Sequence, residues 1–337
     1  MATILVTGGA GYIGSHTVRA LLDAGDSVVV VDDLSRGHRE AVDPRAEFVQ
    51  ADAGDRERLA ALLTGRPFDA VIHFAGLIAV GESMADPARY HHGNVVKSAA
   101  LFDVLRAHGV TRVVFSSSAA VYGEPETVPI PEDHPLRPTS VYGETKLWVE
   151  RMLAHYARAY GFRYVALRYF NAAGAHPDGT LGEAHDPETH LIPLAIGAAL
   201  GTRPPLRIFG TDYPTPDGTA IRDYIHVCDL ADAHLLAVRH LLAGAPGGVY
   251  NVGTGRGHSV REVLAAAELV TGRPVPAVEA PRRPGDPARL VAAPDRIRRE
   301  LGWEPRYGLE DILRHAWRWH SRQGGGRSGS AGGWPGG

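Results

Sequence analysis

The stretch TILVTGGAGYIGSHTVRALLDAG, residues 3–25, decides the fold of this 337-residue chain. Thr3 to Thr7 is apolar and rich in β-branched residues, the pattern of a buried strand. It runs straight into a glycine-rich turn, after which Ser15 to Ala24 reads as a helix with Val18, Leu21 and Leu22 on its inner face. Gly8, Gly11 and Gly14 permit a tight turn, a close approach of backbone to phosphate, and close packing of helix on strand. The amino terminus of that helix, with its unpaired amides, then faces an anion. The next strand, Ser27 to Val31, ends in Asp32-Asp33, at the distance where a carboxylate accepts from the ribose of a dinucleotide. Paired carboxylates repel the additional phosphate of NADP, so NAD is favoured, while Arg36 stands near enough to keep NADP open.

Apolar strand-like runs recur at Glu47 to Gln50, Ala70 to Phe74, Arg112 to Ser116 and Tyr164 to Arg168, with helical patterns between them. The alternation predicts an α/β fold, a Rossmann-type doubly wound parallel sheet with helices on both faces. After Asn171 the texture changes. Ala173 to His190 is rich in Gly, Pro, Asp and His and reads as loop. A helix over Leu191 to Leu200 and a Pro-rich stretch from Thr202 to Gly218 suggest a second unit. A helix over Asp229 to Leu242 and a strand over Val249 to Val252 then return to the first. The expected division is a dinucleotide-binding domain at 1–172, rejoined by about 222–253, and a smaller, discontinuous α+β substrate domain at 173–221 and 254–322. Gly, Ser, Pro and Arg dominate 323–337, which reads as a disordered tail.

A formal net charge of -3 gives no polybasic character, so nucleic acid and anionic membranes are not expected partners. The single Cys228 can form neither an internal disulfide nor a thiolate metal site, which fits a reducing cytoplasm. Met1-Ala2-Thr3 leads directly into the first strand, and no apolar run reaches bilayer length, so no exporting or anchoring segment is expected.

Lys97 and Lys146 are the only lysines among 35 basic residues, and Lys146 lies one helical turn beyond Tyr142. A compact ammonium beside a phenol lowers its pKa, which a tyrosine base needs at neutral pH. The alternative is an ordinary surface pair on a helix. Three strand ends favour chemistry, because ligands in open α/β sheets collect there. Phe74-Ala75-Gly76 is small enough to back a nicotinamide ribose, Ser116-Ser117-Ser118 ends the fifth strand, and Tyr169-Phe170-Asn171 ends the sixth. A serine there either caps a turn or shares a substrate hydroxyl with Tyr142.

With these residues the chain resembles the extended short-chain dehydrogenase/reductases, and among them the branch that epimerises UDP-sugars at C4. The resemblance rests on VTGGAGYIGSH, HFAGLIAVGES, FSSSAAVYGEP, Tyr142 to Lys146, RYFNAAGAHP and IFGTDYPTPDGTAIRDYIHVCDLADAH, and spans Thr3 to about Arg322. Ser118 is followed by Ala119-Ala120 where related dehydratases carry an acidic pair, so elimination lacks its acid and base.

The resemblance implies that Tyr142 is acid/base on the sugar 4-OH, Lys146 lowers its pKa and binds the nicotinamide ribose, and Ser118 assists proton transfer. It places Tyr12, Ile13, Asp32, Asp33, Leu34, Asp52 and Ala53 along NAD with the three glycines. Phe74, Ala75, Gly76, Ile78, Asn94 and Phe170 complete that lining, Ile78 standing where some members have a lysine near the cofactor phosphates. Asn171, His190, Leu191, Phe209, Arg222, Arg283 and Asp286 would hold the UDP-sugar, with Leu290 as a gate beside its 2-substituent. His190 replaces an asparagine and brings a charge that depends on pH. No metal is expected: His185, Asp186, Glu188 and His190 lack helical ligand spacing, and the implied mechanism uses none.

The implied function is NAD-dependent interconversion of UDP-glucose and UDP-galactose, by transient oxidation at C4 and hydride return to the opposite face, in a cytoplasmic homodimer. Epimerisation of another UDP-sugar (N-acetylated, glucuronate or pentose) and a non-catalytic NAD sensor are the rival readings.

Overall fold

The computed structural model describes residues 1–283 and 285–324. Six strands come first: β1 Thr3–Thr7, β2 Ser27–Asp32, β3 Glu47–Gln50, β4 Ala70–His73, β5 Arg112–Ser118 and β6 Arg163–Tyr169. Between and around them lie α1 Tyr12–Asp23, α2 Arg56–Leu63, α3 Val80–Ala85, α4 Pro87–Tyr90, α5 Lys97–Ala107 and α6 Val141–Tyr160. The second half holds β7 Asn171–Ala173, α7 Leu191–Leu200, β8 Leu206–Phe209, β9 Ile221–His226, α8 Val227–Leu242 and β10 Gly248–Val252. It closes with β11 Gly257–Ser259, α9 Val260–Thr271, β12 Ala277–Ala280, β13 Arg289–Leu290, α10 Asp295–Leu301 and α11 Leu309–Gly324.

The main sheet has seven strands in the order β10-β6-β5-β4-β1-β2-β3, every neighbouring pair parallel. Alternation within each strand feeds two cores. Ile4, Val6, Val28 and Val30 meet Val18 and Leu21 of α1 and Leu230 and Val238 of α8 on one face. Leu5, Val29, Val31 and Phe115 meet Leu59 of α2, Leu101 of α5 and Val149 of α6 on the other. Strands buried on both faces read as continuous apolar runs, which is why the sequence shows them so clearly. The order turns back between β1 and β4, the crevice where an open sheet holds its ligand.

A third core, around Ile196, Ile208, Val263 and Leu313, belongs to the smaller unit. There β9 pairs with β7, β11 and β13, and β8 pairs with β12. The two units are threaded together: β9 lies in the small sheet and α8, directly after it, packs on the large one. The predicted helix over Leu191 to Leu200 matches α7, and β10 returns to the main sheet beside β6 as expected. The Pro-rich 202–218 stretch conceals β8. Helix α1 starts at Tyr12 rather than Ser15, because Gly11 is already the cap. Helix α11 continues through Gly324, past the expected start of a disordered tail, and 325–337 lie outside the described residues.

One polar cluster crosses the buried interior behind the sheet's carboxyl edge. Glu150 of α6 accepts from Arg168 of β6 at 2.9 and 2.6 Å and from the Ser117 hydroxyl at 2.5 Å. Arg168 also donates to the Tyr122 hydroxyl at 3.0 Å and to the Glu132 carbonyl at 3.1 Å. Removing one partner strands the other as a buried charge. Glu150→Leu is expected to cost about 3–5 kcal/mol of stability in urea unfolding, and Glu150→Leu with Arg168→Met should recover most of it.

Candidate active site

The glycine turn sets the floor of the site. Gly8 has φ of +74°, and a Cβ there would lie 2.5 Å from Ala75 N; a Cβ at Gly14 would lie 2.3 Å from Gly8 O. No side chain fits at either place, so a diphosphate can meet backbone amides at the start of α1. Asp32, nearly buried, accepts from Ala10 N at 3.0 Å and Leu34 N at 2.9 Å, bracing the turn from the end of β2. Burial pushes the Asp32 carboxyl up, and those amides pull it back. Leu34 itself adopts φ of 60°, the one left-handed non-glycine recorded among the described residues. Asp33 stays exposed and accepts from Ser35 N at 2.9 Å. Arg36, which kept NADP open, is held by Glu82 at 2.9 Å and the Asp186 carbonyl at 3.2 Å. Tyr12 is turned across the cleft, its hydroxyl donating to Gly174 O at 2.7 Å, whereas Ile13 packs into the core.

At the end of β4, Phe74 and Ala75 both donate from their backbone amides to Thr7 O, at 2.9 and 3.1 Å. Asn94 binds both amide faces of Leu77 and the Thr145 hydroxyl, locking the 74–77 segment to α6. Its amide is therefore spent on the protein's own frame. A Cβ on Gly76 would stand 3.1 Å from Asn94 Oδ1 and 3.8 Å from Lys146 Nζ, so this strip runs beneath the lysine. Asp52 accepts from Gly54 N at 2.7 Å and from Lys97 at 2.5 Å, which gives the second lysine a partner; Ala53 beside it is buried. Ile78 is 47 % exposed and presents no charge to a phosphate.

The reactive groups form a stripe on α6. Ser140 caps the helix by accepting from Gly143 N at 3.1 Å, and Tyr142 N is received by Ser83 Oγ at 3.1 Å. Tyr142, Lys146 and Glu150 recur every four residues, so one face meets the end of β5 three times. The Ser118 hydroxyl accepts from Ala120 N at 3.1 Å and favours the ionised form of the nearby Tyr142 phenol, Lys146 Nζ donates to Ser116 O at 2.9 Å, and Ser117 donates to Glu150. Burial raises the Tyr142 pKa and Ser118 only partly opposes it. Burial lowers Lys146 to about 8. Lys146 thus lies near the phenol, 5.8 Å from its ring centroid, without by itself turning Tyr142 into a base. Sequence reading missed Ser83, Glu150 and Arg168; a charged residue inside the otherwise apolar β6 was the available signal.

The residues expected to hold a sugar nucleotide lie largely in and around the small sheets. Arg222 of β9 and Arg283 both bind Asp286, at 2.9 and 2.6 Å, and the Arg283 guanidinium lies 5.0 Å from the centroid of Phe209. Leu290 of β13 pairs in register with Arg222 and packs with Phe170 against Ala119, Val121 and Tyr122, next to Ser118. Asn171 opens β7 beside Tyr224 of β9. These expected residues are therefore brought together. Leu191 instead opens α7 and packs into the third core.

His190 occupies the cap position before α7, its Nδ1 2.6 Å from Glu183 and 3.3 Å from Glu188. Burial works to lower its pKa, but Glu183 and then Glu188 outweigh it and push it up to about 10. Its charge is accordingly set by these neighbours through the neutral range rather than by solution pH. Asp186, grouped with the histidines on sequence, lies outside this cluster, and Glu183 takes its place.

The chain as a whole is similar to known proteins. A "UDP-glucose 4-epimerase" of Azospirillum brasilense is 53 % identical over 333 residues, covering 98 % of this chain and 96 % of that protein. One from Lacticaseibacillus casei is 50 % identical over 319 residues, covering 94 % and 96 %. The crystal structure of UDP-glucose 4-epimerase from Brucella ovis in complex with NAD superposes with a TM-score of 0.92 at 50 % identity, over 94 % of this chain and 98 % of that one. The glycine turn, the Tyr142 stripe and the strand ends that carry them all fall within residues 4–253, which match the model of one family: the chain belongs to the NAD dependent epimerase/dehydratase family.

Proposed function

We propose that this chain interconverts UDP-glucose and UDP-galactose by oxidising C4 transiently and returning the hydride to the opposite face. The observation that carries the reading is the α6 stripe set against Ser116–Ser118 beside a glycine cradle that admits no side chain. Bound NAD supplies the hydride acceptor and, in its reduced form, the donor. Tyr142 takes the 4-OH proton and later returns it, Ser118 relays between phenol and sugar, and Lys146 holds a positive charge under the reacting hydroxyl. Since burial raises the phenol, the positive nicotinamide ring must contribute to lowering it. Arg222 and Arg283 meet the diphosphate with paired donors, Asp286 fixing their forks, and Phe209 lies against Arg283. Affinity concentrated on the nucleotide leaves the 4-keto sugar free to turn over.

In this reading residues 1–172, with about 222–253, hold NAD, and 173–221 with 254–322 hold the sugar nucleotide. No helix among the described residues is long and apolar enough to cross a membrane. We place the enzyme in the cytoplasm as a homodimer, which would cover Trp148 on α6 and Val96 before α5, 51 % and 53 % exposed. Incubating the purified chain with UDP-galactose, without added cofactor, and separating the products by chromatography tests the activity.

NAD should be released by acid from the purified protein, because a cycle that regenerates NAD in place needs no exchange; recovery of NADP, or dependence on added NAD at each turnover, would refute this. Tyr142→Phe should lower kcat by at least about 10²–10⁴-fold while leaving UDP affinity near normal in titration calorimetry. Lys146→Arg should be impaired as well, since its wider fork cannot reach Ser116 O from a buried site.

Lys146→Met separates function from stability. The folded pKa, about 8, lies below the usual 10.5, so holding the charge costs stability below pH 8 and the cost fades as pH rises from 8 to 10.5. The methionine variant should be dead yet more stable at pH 7 by up to about 3 kcal/mol, an advantage that shrinks in denaturant curves at pH 10.

Leu290 is shorter than tyrosine and longer than a small residue, so UDP-N-acetylglucosamine should turn over weakly, roughly 10–200-fold below UDP-glucose in kcat/KM. Leu290→Ala should narrow that ratio and Leu290→Tyr widen it; an unchanged ratio in both would remove Leu290 from the sugar site.

A further inference from the structure

Outside the reaction stripe, the most unusual grouping of side chains lies in the segment entering α7. Glu183, His185, Glu188 and His190 each offer a donor atom, and these atoms all lie within 4.8 Å of one another. The side chains of Glu183 and Glu188 are only 2 % and 3 % exposed. His185 Nδ1 is 2.9 Å from Glu183 Oε1 and 3.9 Å from Glu188 Oε2. His190 presents its outer edge to solvent but buries Nδ1, and that atom makes no hydrogen bond of acceptable angle although Glu183 Oε1 is 2.6 Å away. A buried ring nitrogen without a satisfied hydrogen bond thus stands inside the group of four donors.

Two buried carboxylates side by side demand a positive centre. Either a proton on His190 or a dication can supply it. The unsatisfied His190 Nδ1 favours the dication, and so does the support behind the ligands. Glu188 Oε1 accepts from Thr189 N at 2.7 Å and His190 N at 2.8 Å, while Trp319 Nε1 donates to the Glu183 carbonyl at 2.9 Å, so both glutamates are oriented from behind. Two imidazoles and two carboxylates are a donor set suited to zinc, whose structural sites take four such ligands.

We propose that Glu183, His185, Glu188 and His190 bind a divalent transition-metal ion, zinc for preference, which ties the 183–190 segment to the start of α7. The ion serves architecture, not hydride transfer. His185 also meets the edge of Tyr12, ring centroids 6.0 Å apart, so the tie braces the glycine turn from the opposite side of the cleft.

The full chain, free of any histidine tag, is stripped by dialysis against chelator, loaded with zinc chloride, gel-filtered and assayed for metal by mass spectrometry. In parallel it is loaded with cobalt chloride for visible absorption. Close to one zinc per chain, the absorption of four-coordinate cobalt, and a melting temperature that falls on chelation and returns with zinc are expected. His185→Asn should weaken zinc binding by more than the about 10–100-fold that loss of an outer partner costs. His185→Cys should keep the metal and add a thiolate-to-cobalt charge-transfer band. Zinc retention unchanged in His185→Asn would place the ion elsewhere and overturn the assignment. A metal-free protein whose melting is indifferent to chelator and zinc would overturn it too, leaving the His190 proton as the balancing charge. Turnover is not among the readouts, so neither result bears on the epimerase reading.

Discussion

The face of α6 that carries Tyr142, Lys146 and Glu150 is fixed to the end of β5 at three points, and the rest of the site depends on that attachment. Ser118 stands near the Tyr142 phenol, Ser116 O accepts from Lys146, and the Ser117 hydroxyl donates to Glu150. Arg168 of β6 then closes on Glu150, so the helix is held by two adjacent strands, not one. A slip of one residue along α6 would turn its stripe by about 100° away from the strand, out of reach of all three partners at once. Reactive geometry is thus protected by a buried ion pair two turns away. The arrangement explains why polar residues crowd the carboxyl end of a sheet whose remainder is aliphatic.

Electrostatics at the stripe are deliberately incomplete in the protein alone. Burial raises the phenol and lowers the amine, the reverse of what a tyrosinate beside an ammonium requires. Lys146 spends its hydrogen bond on a carbonyl, which stabilises charge on the amine but does nothing for the phenol. In the proposed reading, the positive charge that the phenol lacks would come from the oxidised cofactor held near the 74–76 strip. An enzyme that must oxidise and reduce the same carbon would gain from this, since the proposed base would become competent only with the hydride acceptor in place.

Much of the fold could be read directly from the sequence, because doubly buried strands and a glycine turn leave strong local signals. Tyr142, Lys146, Ser118 and Asp32 stand out as candidates in the sequence because each sits at a fixed offset from a strand end or a helix start. The strand β8 was hidden because it is a short edge pairing within a Pro-rich stretch, and its Leu206 and Ile208 face inward while Arg207 points out. Glu150, Arg168 and Glu183 escaped for a different reason. Their significance lies in partners 18 residues away or, for Glu183, across a loop without periodic pattern. Helical spacing is a sound test for ligands on a helix and has no force in a loop, where the chain can fold donors together at any interval.

The two units meet through elements that belong to both. Strand β9 carries Arg222 and runs directly into α8, whose face packs under β5 and β6. Leu290 lies beside Arg222 on one side and the Ser118 cluster on the other. A shift of β9 and β13 would therefore move Arg222 and Leu290, the proposed diphosphate clamp and sugar wall, together. In the proposed reading that linkage suits a substrate gripped by its nucleotide yet rotating at its sugar: strand pairing would keep the grip and the wall in fixed register, leaving the freedom to the volume between the wall and the α6 stripe.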